Sequence, residues 1–230
     1  MKPRRRAFVL QNTRLQRPPH VPELQLYLAD EVMPIWRMTE QELGEAGVPP
    51  PFWAFAWPGG QAIARYLLDH PEEVAGKRVL DVGTGSGLCA LAAMKAGAAS
   101  ALAADIDVFS EEAVALNAQA NEVSVAFTNR DLLDAHPAGT PPALPAWVSD
   151  LILAGDLCYE QPLAGRILAW LQAAHARGTR VLIGDPGRDY FSGEGLIRLA
   201  TYQVPTTREL EDREVKQTGV FTLAKVEPGR

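Results

Sequence analysis

Apolar residues follow two alternating patterns along most of this chain. Short unbroken runs at residues 79–82, 101–104, 125–127, 150–154 and 180–184 read as buried strands. Longer stretches between them carry apolar positions at helical spacing. Residues 61–68 offer Ile63, Leu67 and Leu68, and residues 88–96 are Ala/Leu-rich up to Gly97. A helix running to about Asn121 offers Ala113, Val114, Leu116 and Ala120, with Ser110 as N-cap and Glu111 and Glu112 in its first turn. Asn117 and Asn121, four apart, suit its solvated or capping side. Residues 163–174 offer Leu163, Ile167, Leu168, Trp170 and Leu171, with Gly178 as the stop. Leu196, Ile197, Leu199 and Ala200 mark a further helix. Residues 202–205 and 220–226 read as a closing antiparallel pair across a charged linker, 206–218. The alternation predicts an α/β fold with a doubly wound, mostly parallel sheet and an added hairpin.

The N-terminal fifth reads differently. Residues 1–22 are basic and proline-bearing, and mobile at the start. Leu24, Leu26 and Leu28 alternate and are followed by Val32, Ile35 and Trp36, which fits a short strand or a helix turn broken at Pro34. Thr39 and Glu42 suit a helix start, and residues 47–51 form a stiff connector. The expected division is an extension over 1–50 and one domain over 51–230.

The first complete unit, residues 79–107, carries chemistry. A strand containing Asp81 runs into Gly83-Thr84-Gly85-Ser86-Gly87, a helix follows, and the next strand ends in Asp105. Glycines let backbone approach a ligand, and a helix N-terminus offers unpaired N–H groups. A carboxylate at the second strand end can accept both hydroxyls of a ribose. The spacing is G-x-G-x-G, not the G-x-G-x-x-G of a dinucleotide turn. Asp81 would repel a pyrophosphate but suits a cationic amino-acid end. This pattern resembles motif I of the seven-stranded S-adenosylmethionine (SAM) methyltransferases, which implies SAM as cofactor and a seven-stranded Rossmann-like sheet. Right-handed crossovers bring Asp81, Gly83, Asp105, Asp131 and Asp156 to one crevice. Asp131 either accepts from the adenine amino group or is a loop carboxylate without a role.

Composition narrows the choices. The 230 residues suit one domain with an appendage, and 47% hydrophobic with 22% charged residues is ordinary for a globular protein. A formal net charge of −6 opposes a nucleic-acid substrate. Two cysteines, Cys89 and Cys158, form neither a disulfide framework nor a metal-ligand spacing, so a reducing compartment and no metal are expected. No run is long enough to span a membrane. The acid-free first 22 residues carry a weak transit-peptide bias that their prolines interrupt. The expectation is a cytoplasmic monomer without membrane or nucleic-acid partners.

Phe52, Trp53, Phe55 and Trp57 cluster within six residues ahead of Gly59-Gly60. The run reads either as a plug under the N-terminal segment or as placing Trp57 and Gly59-Gly60 at the rim of the cofactor pocket, a wall for the methionine end or the substrate channel. The fourth strand ends in Gly155-Asp156-Leu157-Cys158-Tyr159-Glu160. It lacks the Pro-Pro-aromatic turn used in amino-group methylation of nucleobases or glutamine. Its Asp-x-x-Tyr instead resembles the small seven-stranded protein lysine methyltransferases. Across residues 22–225, the segments PPPFWAFAWPGGQAIARYLLDHP, VLDVGTGSG, LAGDLCYE, VLIGDPGRDYF and YQVPTTRELED together resemble the family that methylates lysines of the electron transfer flavoprotein β subunit (ETFβ).

The resemblance implies ETFβ as the protein partner, trimethylated by in-line transfer to a neutral amine. The catalytic candidates are Asp156, which orients the amine or the methionine ammonium, and Tyr159, which lines the channel or packs over the strand. The cofactor candidates are Trp57, Asp81, Gly83, Thr84, Gly85, Gly87, Asp105, Ile106, Asp131 and Gly155. Arg188, in Asp185-Pro186-Gly187-Arg188, belongs to a turn or meets an acidic partner face. The alternatives are a SAM-dependent methyltransferase of a ribosomal protein or small molecule, and a SAM-binding protein without turnover.

Overall fold

The computed structural model describes residues 2–30, 50–133, 149–206, 211 and 213–224. The expected helix start at Thr39 and a proline-rich loop expected at 136–145 lie outside them. In chain order the elements are α1 (Lys2–Asn12), β1 (Arg14–Gln16), β2 (Leu26–Leu28), α2 (Pro58–Asp69), β3 (Arg78–Val82), α3 (Leu88–Lys95), β4 (Ser100–Ala104), α4 (Val108–Ala120), β5 (Ala126–Thr128), β6 (Leu151–Gly155), α5 (Leu163–Ala176), β7 (Arg180–Asp185), β8 (Leu196–Pro205) and β9 (Val215–Leu223). A short 3₁₀ turn, Phe52–Ala54, precedes α2, and another, Pro71–Glu73, follows it.

The main sheet has seven strands in the order β5-β4-β3-β6-β7-β9-β8. The five strands from β5 to β7 are parallel, and β9 runs antiparallel between β7 and β8. The expected doubly wound sheet is therefore present. The strand order reverses at β3, which pairs with both β4 and β6. Val82 stands opposite Ala104 on one side and Ala154 on the other. The residues that follow, Gly83, Asp105 and Gly155, thus lie at one level, with Gly155 still paired to Gly184 of β7, where an open α/β sheet presents its crevice. Leu80, Ile152 and Leu153 are fully buried, as fits strands covered on both faces.

Helix α2 is set unusually close to the sheet. Pro58 opens it at a position that needs no N–H. Gly59 and Gly184 face each other so closely that a Cβ on Gly184 would overlap the Gly59 carbonyl oxygen and come within 2.9 Å of Ile63 Cγ1. A Cβ on Gly155 would lie 3.0 Å from the Gly60 nitrogen.

Four local readings are corrected. Residues 196–200 are not a helix but the start of the ten-residue strand β8. The ladder to β9 shifts register between Arg198 and Ala200, and this bulge turns an alternating pattern into apparent helical spacing. Helix α4 is capped by Asp107, whose Oδ1 accepts from Phe109 N at 2.8 Å, and Ser110 is buried inside the first turn. Strand β9 begins at Val215, shortening the expected linker. Asn117 and Asn121 are buried rather than solvated, although Asn121 does stand at the C-terminal cap of the helix. Their Oδ1 atoms accept from Tyr27 N at 2.6 Å and Gln25 N at 2.9 Å, and Asn121 Nδ2 donates to Gln25 O at 2.6 Å.

Those asparagines bond the backbone of Gln25 and Tyr27, and so latch the N-terminal segment onto α4. That segment also carries a helix, α1, that the sequence pattern does not predict. Pro3 falls in the first turn of α1, where it breaks no helical hydrogen bond. Phe8 packs 5.1 Å from the Phe109 ring and 6.5 Å from Trp53, and Val9 is fully buried beside them. Leu26 and Leu28 of the alternation form the ends of β2, and Leu24 just before it is buried with them.

Candidate functional site

A cavity of about 830 Å³ opens at the carboxyl ends of β3, β4 and β6. That lies within the ~300–1,000 Å³ common for small-ligand sites. Of the residues singled out from sequence, Trp57, Asp81, Gly83, Thr84, Gly85, Asp105, Ile106, Asp131, Gly155, Asp156 and Tyr159 all line it. Gly87 does not. It caps α3 with φ 86°, a left-handed conformation that glycine adopts without strain.

The glycine loop is held by the two carboxylates that flank it. Asp81 is buried, and its Oδ2 accepts from the Thr84 hydroxyl and from Ala90 N at 3.1 Å. Asp105 accepts from Gly85 N at 2.8 Å and Asp107 N at 2.9 Å. Burial pushes the Asp81 carboxyl up to about 7, against the pull of these donors, with Asp105 adding like-charge repulsion. Burial also raises Asp105, and raises Asp107 to about 6. Asp156 is pushed up to about 6 by burial, although Arg188 opposes the shift. The cavity therefore gathers four carboxyl groups whose charge burial makes costly, a cost that Arg188 offsets in part at Asp156. A cationic ligand would relieve that cost.

At the end of β6, Asp156 has left-handed backbone, φ 58°, which Asp tolerates better than most residues. Its Oδ2 accepts from Gly59 N and from Gly60 N at 3.3 Å, and its Oδ1 accepts from Arg188 Nε at 3.2 Å and Nη2 at 2.8 Å. Asp131 accepts from Leu133 N at 2.7 Å on the far side of the cavity. Ile106 is 70% exposed at its edge.

The aromatic run divides between a buried part and a part at the cavity mouth. Trp53 is fully buried and stacks on Phe109 at 5.9 Å beneath the cavity. Phe52 and Tyr159, both exposed, and the half-buried Trp57 form a rim, with Phe52 5.8 Å from Trp57 and 5.4 Å from Tyr159 between ring centroids. Trp57 Nε1 donates to Phe52 O at 2.9 Å, which fixes the indole. Sequence reasoning did not assign Phe52 to the site, and its place beside Trp57 was the available signal. It also did not bring Arg188 to Asp156. The Asp-Pro-Gly-Arg turn itself is present, with Asp185 Oδ1 accepting from Gly187 N at 2.7 Å and Arg188 N at 2.8 Å.

This fold and this site define a SAM-dependent methyltransferase. The family model for ribosomal protein L11 methyltransferase (PrmA) matches residues 64–143, and the structure of magnesium protoporphyrin IX methyltransferase from Synechocystis, solved with bound SAM, superposes with a TM-score of 0.50 at 15% identity over 72% of this chain and 79% of that one. The electron transfer flavoprotein beta subunit lysine methyltransferase of Xenopus laevis is 37% identical over 95% of this chain and 86% of its own length, and that of Homo sapiens is 35% identical over 96% and 81%. The chain belongs to the family of electron transfer flavoprotein beta subunit lysine methyltransferases.

Proposed function

We propose that this protein transfers methyl groups from SAM to lysine side chains of ETFβ. The observation that carries the reading is one cavity with two characters: a carboxylate-lined glycine loop at its floor and an aromatic rim at its mouth. SAM, when bound, supplies an electrophilic methyl group on a sulfonium. The floor suits this cationic nucleoside. Asp105 accepts from the ribose hydroxyls, and Asp81 offers the ammonium end its Oδ1, which neither of its bonds to Thr84 and Ala90 uses. Gly83, Thr84, Gly85 and Gly155 bring backbone against the ligand. Ile106 and Asp131 bound the adenine end.

The rim serves the second substrate. A lysine amine titrates near pH 10.4 in water and must be neutral to attack. A channel of Phe52, Trp57 and Tyr159 disfavours the charged amine by desolvation. Alignment of amine and methyl then provides most of the acceleration, without a covalent intermediate. In the same reading, residues 1–50 form an extension to a methyltransferase domain over 51–230, and the protein works as a cytoplasmic monomer. None of the described helices is long and apolar enough to cross a membrane.

Tyr159→Ala is expected to leave SAM affinity within about twofold and to lower kcat about 30-fold, because one wall of the amine channel is lost while the floor is intact. Calorimetry with SAM and steady-state transfer to ETFβ check both halves. SAM affinity is also expected to depend on pH. The Asp81 carboxyl titrates near 7 without ligand and is needed ionised against a cation. Affinity therefore rises as pH climbs towards 7 and levels off above it. Well below 7 it falls by up to about tenfold per pH unit, with one proton released on binding. Asp81→Asn should flatten that dependence in calorimetric titrations between pH 5.5 and 7.5.

The substrate assignment is tested by offering ETFβ and ribosomal protein L11 together with methyl-labelled SAM. The family model named for the L11 enzyme spans the glycine loop but not the aromatic rim. Label on ETFβ alone is expected, and label on L11 in its place would overturn the assignment.

A further inference from the structure

The carboxylate of Asp156 is fully committed before any substrate arrives. Its two oxygens receive four donors: Gly59 N and Gly60 N on Oδ2, and Arg188 Nε and Nη2 on Oδ1. Four is about the number of lone-pair directions a carboxylate offers. The Arg188 guanidinium does not stop there. Its Nη1 donates to Glu211 Oε2 at 3.1 Å and its Nη2 to Glu211 Oε1. The Glu211 side chain is only 2% exposed, and Lys216 Nζ lies 3.6 Å from its Oε2. Arg188 also sits 5.8 Å from the Trp57 ring centroid, on the cavity wall. A single guanidinium thus joins three separate pieces of chain: the turn after β6, the N-terminus of α2, and the connection between β8 and β9.

We propose that Arg188 is a positioning residue for methyl transfer: its fork holds Asp156, and through Asp156 the Gly59-Gly60 backbone that carries Trp57, in the geometry of the amine channel. This rests on the methyltransferase reading above and adds a residue to it. The planar fork is the relevant property, because only a guanidinium can place two donors on one Asp156 oxygen while pairing with both oxygens of Glu211 and lying over an indole. Pairing Asp156 in advance has a further consequence. A bare carboxylate at the channel would hold an incoming lysine as its ammonium, which cannot attack. With Arg188 in place, Asp156 has no free acceptor for it.

The charged groups around Asp156 are Arg188, Asp185 and Glu211, with the buried thiols of Cys89 and Cys158 nearby. Arg188 is the cation that holds the Asp156 charge against burial and against both acids. Without it, ionisation of Asp156 moves to higher pH, and the channel geometry that depends on the carboxylate becomes pH-dependent in the neutral range.

The test compares Arg188→Lys and Arg188→Gln with the parent protein, each with purified ETFβ and SAM. Lysine keeps the charge but not the fork, so its fold is the better preserved of the two. Both variants are expected to lose kcat about 10- to 100-fold, with KM for ETFβ changed far less, while SAM affinity measured by calorimetry stays within about threefold. In Arg188→Gln the low-pH limb of kcat should move up by about one pH unit or more. A role in general stability would lower kcat alike at every pH and move no limb. Lysine and glutamine variants with parental kcat and pH profile would overturn the proposal. An inactive parent would instead overturn the substrate assignment on which it rests.

Discussion

Gly184→Ala is expected to destabilise the protein by about 3 kcal/mol and to abolish methyl transfer. The added methyl would occupy the space of the Gly59 carbonyl oxygen and press on Ile63, which is fully buried. Neither neighbour can give way cheaply. The backbone N–H groups of Gly59 and Gly60 are fixed on Asp156, and Asp156 N donates to Gly184 O at 2.9 Å, so helix α2, β6 and β7 are locked to one another at this point. Moving α2 outward would also carry Trp57 away from the cavity. The urea midpoint measures the stability loss, and residual activity at low temperature measures the site. Gly193→Ala is the matched control, because a Cβ there meets nothing within 4 Å and its backbone needs no left-handed conformation. A Gly184→Ala midpoint equal to that of the control would show that the close approach carries no energetic weight.

The second large effect falls on the cofactor alone. Asp105→Ala is expected to weaken SAM binding by at least about 100-fold, since each hydrogen bond to a charged acceptor contributes ~1.5–3 kcal/mol and two ribose hydroxyls lose theirs, ~3 kcal/mol together at the low end. Some of the damage is local: Gly85 N and Asp107 N lose their acceptor, which loosens the glycine loop before any ligand arrives. The melting temperature should therefore fall by a few degrees at most, while the affinity loss is much larger than that fall explains. Calorimetry and thermal denaturation on the same preparation separate the two. Affinity unchanged by Asp105→Ala would remove the ribose end from this carboxylate.

The unit from β3 through β4 was legible in the sequence because two independent signals coincide there. The apolar runs set the strands, and the glycine turn with Asp81 and Asp105 set the ligand end. Register then did the rest, since parallel pairing of Val82 with both Ala104 and Ala154 puts every following loop at one level. Other features depend on contacts distant in the chain and leave no local trace. Arg188 meets Glu211 across 23 residues and Asp156 across 32, and nothing in Asp-Pro-Gly-Arg announces either. Asn117 and Asn121 look like surface asparagines until the backbone of Gln25 and Tyr27 is laid beside them. Strand β8 was misread because a bulge shifts its alternation by one position. Helix α1 escapes the sequence reading because Pro3 counts there as a breaker, although it sits where a helix tolerates it.

The central claim is that one crevice binds SAM at its acidic floor and receives an ETFβ lysine through its aromatic mouth. Intact-mass measurement of purified ETFβ after incubation with this protein and SAM tests it most directly. ETFβ should gain mass in steps of one methyl group, mapped by fragmentation to lysine, and the gain should collapse with the Asp105→Ala and Tyr159→Ala proteins. ETFβ of unchanged mass, in the presence of parent protein shown by calorimetry to bind SAM, would contradict the account.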